Sequence, residues 1–147
     1  ATISVRVVPS KTLPQGIAGM LAYSPEESIE DNAEAMTRSV SMLLCGEVVT
    51  AVRDAQVDGT QIQSGQVIGL LEGKLVEAAT THHDALMSLV YGAAPEAGSL
   101  ITLYWGGDVS EDDANDAAKS LQSAHPGTEV ETIHGGQPHY HYLVSIE

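Results

Sequence analysis

The sequence predicts a mixed α/β fold in one domain over residues 1–147, with a mixed sheet that includes a β-meander and about four helices. Three observations carry this. An apolar stripe of helical period runs through residues 24–46. Short strand-like runs separated by turn dipeptides fill residues 47–79. From Thr81 onward, helical and strand patterns alternate.

In chain order, Ile3 to Val8 (ISVRVV) has strand composition, and Pro9 ends it. The loop SKTLP leads into a short helix, QGIAGMLAY, with Pro14 in its first turn. Residues 24–46 form the clearest helix, with Ser24 as cap, Pro25 at the first position and Glu27 completing a capping box. Ile29, Ala33, Met36, Val40, Leu43 and Leu44 define its buried stripe, Glu34 and Arg38 pair on its outside, and Gly46 ends it. EVVTAVRDA, GTQIQ, QVIGLL and KLVEAA then read as a meander, with Glu72-Gly73 as a tight hairpin turn. Thr81 and Asp84 cap THHDALMSLVYGAA, and SLITLYW is a continuous apolar strand. Ser110 and Asp113 cap EDDANDAAKSLQSAH, which Pro126-Gly127 stops; TEVETI and HYLVSI are the last strands.

Composition narrows the function. Six basic residues against 20 acidic ones give a net charge of −14, which repels phosphate backbones and anionic membranes, so no nucleic-acid partner is expected. No apolar run reaches the ~20 residues of a membrane span, so no membrane insertion is expected. Cys45, the single cysteine, excludes an intramolecular disulfide and reads as a small core residue; a cytoplasmic location is expected. The chain starts without Met and almost directly in a strand-like run, which suggests a piece of a longer protein.

Few residues offer chemistry. His134, His139 and His141 lie within eight residues, and in a strand His139 and His141 would face the same way. Lacking a carboxylate or thiolate ligand at a telling spacing, they read as packing or solvated side chains, and no metal site is expected. His82 and His83 read as surface residues, and the acids Glu111, Asp112, Asp113 and Asp116 as complements of a helix dipole. Residues 54–65 fail the spacing of a calcium loop. Nucleophile elbows, P-loops and GxGxxG runs are absent, so no cofactor is expected in this chain. The loop Ser10, Lys11, Thr12, Gln15, Gly16 could present a cation, hydroxyls and N–H groups to an anion, or could simply cap a helix.

The order of segments VRVVPSKTLPQGIAGMLAYSPEESIEDNAEAM, GEVVTAVRDAQVDGTQIQSGQVIGLLEGKLV and the terminal GGQPHYHYLVSIE resembles the C-terminal part of the bacterial fatty acid kinase A subunit, over essentially the whole chain. That family carries an ATP-binding module of the dihydroxyacetone kinase type at its N-terminus. The resemblance implies that ATP and magnesium belong to this upstream module, and that a separate DegV-type subunit presents the fatty acid. The kinase then forms an acyl phosphate for phospholipid synthesis. It further implies a fold like the second lobe of a DegV-type protein and a non-catalytic role in docking the acyl-loaded subunit, with homo-oligomerisation through this or upstream domains left open. Gly135, Gly136, Gln137, Pro138 and Tyr140 match the family ending, Tyr142 less strictly, whereas histidine at 139 and 141 is not a family feature. Partner-binding candidates are therefore Arg53, Asp54, Gln137, Pro138, Tyr140 and Tyr142, the two tyrosines being expected on one strand face. The alternatives are a fatty-acid or other anion site in the Ser10–Gly16 loop, and a histidine-based metal hydrolase.

Overall fold

The structure is a computed structural model and describes residues 2–147. Its residues gather into two compact units, 1–43 and 44–147, so the division falls within the stretch that composition marks as one domain.

The first unit holds two helices, α1 (Leu13–Leu21) and α2 (Ile29–Ser41). Thr12 caps α1 through its Oγ1, which accepts the Gln15 N–H at 3.2 Å, and Gln15 Oε1 accepts the Lys11 N–H at 2.7 Å. The α2 cap is Ser28, not Ser24: Ser28 Oγ accepts the Asp31 N–H at 3.1 Å. Ser24 is held elsewhere, because the buried Asn32 accepts its N–H and donates to its carbonyl, both at 2.8 Å. The side-chain clasp turns residues 24–27 away from helical geometry. Glu34 and Arg38 pair at 2.7 Å as expected. Ile3–Val8 departs from its strand expectation, forming no strand ladder within the described residues.

The second unit is a six-stranded sheet in the order β5-β4-β1-β8-β6-β7, formed by β1 (Leu44–Thr50), β4 (Val67–Leu71), β5 (Lys74–Ala79), β6 (Leu100–Trp105), β7 (Glu129–His134) and β8 (Tyr140–Ile146). All its pairs are antiparallel except β6 with β7. α2 does not run to Gly46, because Leu44 to Gly46 are taken into β1, whose ladder bonds both β4 and β8. The meander is also shorter than expected. β2 (Ala55–Val57) and β3 (Thr60–Ile62) form a separate ribbon, so β1 passes directly to β4. Glu72 and Gly73 both have positive φ, +50° and +76°, as a two-residue hairpin turn of the primed type requires.

Helices α3 (His82–Ala93) and α4 (Glu111–Ala124) cover one face of this sheet. Thr81 and Ser110 cap them, each accepting an N–H three residues on at 3.1 Å. The core lies between helices and sheet, where Val48, Ile101, Leu103 and Val144 meet Leu86, Leu89, Val90 and Leu121. β1 and β4 present Gly46 and Gly69 toward α3: a Cβ on Gly46 would lie 2.6 Å from Leu89, and one on Gly69 would lie 3.0 Å from the Ala85 carbonyl. Two strand glycines thus set how closely α3 approaches. Cys45 is buried, in keeping with a core role.

Candidate functional site at the carboxyl end of the sheet

The ladder directions bring most of the chemistry of this unit to one end. β1, β5, β6 and β7 run in one sense and β4 and β8 in the other. The carboxyl ends of the four like-directed strands therefore share an edge with the start of β8, the β2–β3 ribbon and the N-termini of α3 and α4. Loops and two helix N-termini converge at this end, and helix N-termini present backbone N–H groups that no helical carbonyl uses.

Residues 135–139 are stitched into that end. Gly135 and Gly136 N–H both donate to the Trp105 carbonyl, at 3.0 and 3.1 Å, and Gly107 N–H donates to the Gln137 carbonyl at 3.0 Å. Gln137 Nε2 donates to the Tyr104 carbonyl at 2.9 Å, so this side chain bonds loose backbone as its chemistry allows. Its Oε1 is buried with no partner among the described residues. Pro138 stands exposed in the bend that leads to β8.

Beside the loop sits a cluster of ring side chains. His141 Nε2 lies 2.7 Å from Thr50 Oγ1, and its Nδ1 lies 2.8 Å from Asp108 Oδ2, in contact but too oblique for an in-line hydrogen bond. His82, the first residue of α3, stacks on His141 with ring centroids 5.3 Å apart and meets the Tyr142 ring edge-on at 5.8 Å. Burial holds the His82 pKa below its usual value, with the neighbouring His141 adding to the effect and Asp113 and Asp108 opposing it. Tyr142 has no exposed surface, and its hydroxyl has no partner among the described residues. Burial, followed by Asp113 and Asp108, pushes that phenol up to about 12. At neutral pH the cluster thus contains a neutral His82 and a neutral phenol, with the Asp108–His141–Thr50 chain on its outer side. It can donate and accept hydrogen bonds.

The structure revises several expectations. The three C-terminal histidines do not converge: His134 stacks on Trp105 at 4.0 Å, His141 turns to Thr50 and Asp108, and His139 lies outside β8 at φ +70°. Among the described residues no group of three His, Cys, Asp or Glu side chains could hold a metal. A histidine-based metal hydrolase therefore loses its ligand set. His82 is partly buried in the cluster rather than a surface residue. Tyr140 and Tyr142 do not share an accessible face, because Val48 pairs with Tyr142 and Val49 with Tyr140, leaving His141 as a bulged extra residue. Tyr142 enters the core while Tyr140 stays 36% exposed, so only Tyr140 is open to a partner.

Arg53 and Asp54 follow β1 in a bend; Asp54 Oδ1 accepts the Ser64 N–H at 2.8 Å across the base of the β2–β3 ribbon, and Arg53 is exposed. In the first unit, Ser10, Lys11 and Thr12 follow no strand, Gln15 and Gly16 lie within α1 and not in a loop, and Thr12 and Gln15 direct their side chains to the α1 cap. Sequence reasoning missed Thr50, His82 and Asp108. Only His82 carried a signal, since a ring directly after the Thr81 cap can turn toward the strand that α3 covers.

Among the described residues no helix is long and apolar enough to cross a membrane. The fold resembles that of a Thermus thermophilus DegV family protein whose structure is titled for its fatty acid binding. The TM-score is 0.51 at 10% identity, covering 90% of this chain and 55% of that one. An uncharacterized protein of Staphylococcus haemolyticus is 35% identical over 141 residues, and Protein YloV of Bacillus subtilis is 32% identical over 143 residues. The match covers 96% and 97% of this chain respectively, but the chain spans only 26% of either relative's length. The family of C-terminal domains like that of the fatty acid kinase A subunit matches residues 1–147, and the chain belongs to that family.

Proposed function

We propose that this chain is a non-catalytic docking domain of a fatty acid kinase. In this reading it receives an acyl-loaded DegV-type subunit so that an upstream ATP- and magnesium-binding module can phosphorylate the fatty acid carboxylate. The family match over the full length of the chain carries the proposal. The carboxyl end of the sheet supports it with an exposed surface of mixed character: Val52 is 88% exposed, Arg53 follows it, Pro138 stands in the bend before β8, and Tyr140 begins that strand. An aromatic residue and an arginine set among exposed apolar groups are the residue types that anchor interfaces. Arg53 is one of only six basic residues in a chain of net charge −14, so it offers a local cation for an acidic group on the partner. The proposed setting is the bacterial cytoplasm, in the supply of acyl phosphate for phospholipid synthesis.

The test is calorimetric titration of the protein with a fatty-acid-loaded DegV-type subunit from the same organism. Saturable binding is expected, weakened by about tenfold or more in Arg53→Glu and Tyr140→Ala. Binding that both variants leave intact would move the interface elsewhere; absence of binding by the complete gene product would end the docking reading.

A further inference from the structure

α3 and α4 both begin at the carboxyl end of the sheet, so both end away from it. There the last turn of α3, the end of α4 and the middle of β5 border a cleft of about 560 Å³. Val76, Met87 and Ala124 give it an apolar wall. Gly92 keeps it open above Val76, because a Cβ there would stand 3.1 Å from Val76 Cγ1. The polar side chains that reach it are Glu77, Ser88, Tyr91 and His125. Among the described residues none of the four makes a side-chain hydrogen bond or ion pair, although Glu77 is half-buried. The electrostatics of the cleft have one sign. Glu77 supplies a carboxylate, and no lysine or arginine lines the site. Neither helix carries a basic residue in its last turn, so the partial negative charge of two helix C-termini stands without a counter-charge. Tyr91, 79% exposed, adds a ring at the rim.

We infer that this cleft binds a small organic ammonium, an apolar body that carries one positive charge. The body lies against Val76, Met87 and Ala124, with its charge toward Glu77 and the Tyr91 ring. A carboxylate, two helix C-termini and the face of an aromatic ring all attract a cation, and each of them repels an anion. The net charge of −14 reinforces that preference over longer range. Small-molecule sites span about 300–1,000 Å³, and this cleft has room for one ring or a short chain with its charged head. The site shares no residue with the proposed docking surface, so neither reading depends on the other.

Nuclear magnetic resonance titration with benzyltrimethylammonium tests this, at about pH 8, where a histidine of ordinary pKa is neutral. Saturable shifts of the Met87 methyl and the Gly92 amide are expected. Benzoate and benzyl alcohol, which keep the ring and change the charge, should bind about tenfold more weakly or worse. Glu77→Gln should weaken the ammonium by about tenfold, and Tyr91→Leu by about threefold, with the Tm of each variant unchanged. Benzoate or benzyl alcohol binding as tightly as the ammonium overturns the inference, as does the absence of saturable shifts in the millimolar range. Binding that Glu77→Gln leaves intact overturns it too, since the cation would then be held by the acidic surface at large.

Discussion

His141 Nε2 and Thr50 Oγ1 lie 2.7 Å apart, and this hydrogen bond closes the register slip between β1 and β8. The bulge leaves His141 without a partner position in β1, and Thr50 at the end of β1 receives its ring. Thr50→Val keeps the shape and removes the acceptor and donor. It should lower stability by about 0.5–1.5 kcal/mol and free the ring to rotate. Denaturant unfolding together with the imidazole resonances of His141 checks this; an unchanged ring environment would mean that Asp108 and stacking alone hold His141.

Acid should weaken the fold through His82. Its pKa is lowered in the folded state from 6.5 by burial and by His141, so the unfolded chain binds a proton that the folded chain resists. The contribution is complete above the unfolded value and is lost as pH falls from there through the lower folded value. His82→Gln should flatten the fall in urea midpoint between about pH 7.5 and 5.5 relative to the parent. An equal fall in both proteins would assign the acid sensitivity to other groups.

Tyr142 makes the opposite prediction at high pH. Its phenol is pushed up to about 12 from 10.0, so the folded chain keeps a proton that the unfolded chain releases. Stability from this group is complete below 10 and is lost as pH rises toward about 12. In an ultraviolet titration of the five tyrosines, Tyr142→Phe should remove a late step; Tyr104, also raised by burial, remains late. Because the hydroxyl is buried without a described partner, Tyr142→Phe should be neutral or stabilising by up to about 1 kcal/mol near pH 7. Destabilisation beyond that would reveal a partner for the hydroxyl, such as a bound water.

Gly106 is the position least able to accept a side chain. A Cβ there would run into the Tyr140 carbonyl and lie 2.9 Å from the Gln137 carbonyl, and neither backbone group can yield without breaking the loop. Gly106→Ala should cost about 2 kcal/mol or more and loosen residues 135–139, read as a lower Tm and faster exchange at Gly107. A near-neutral result would show that the loop can shift without losing its bonds to β6.

Much of the fold could be read from local chemistry. The Thr81 and Ser110 caps, the Glu72-Gly73 turn, the apolar run of β6 and the Pro126-Gly127 stop each depend on residues within a few positions of one another. The same reasoning failed where two local signals competed. Ser24 fits the cap pattern, yet the buried Asn32 bonds it, and Ser28, four residues on, caps α2 instead. The segment order pointed to the family, which the whole-length match bears out.

The site was much less legible, because its members meet only through the sheet. Thr50 and His141 are 91 positions apart, and Asp108 and His82 come from two other connections; no spacing rule links them. A single bulge at His141 broke the period-two alternation that would have put Tyr140 and Tyr142 on one face. The sequence by itself determined the caps of α3 and α4, the hairpin turn at Glu72-Gly73, most of the strands and the kinship, since these are written in near neighbours. Only the tertiary structure decided which histidines cluster and which tyrosine stays exposed, because one residue of register inverts the face of everything along a strand.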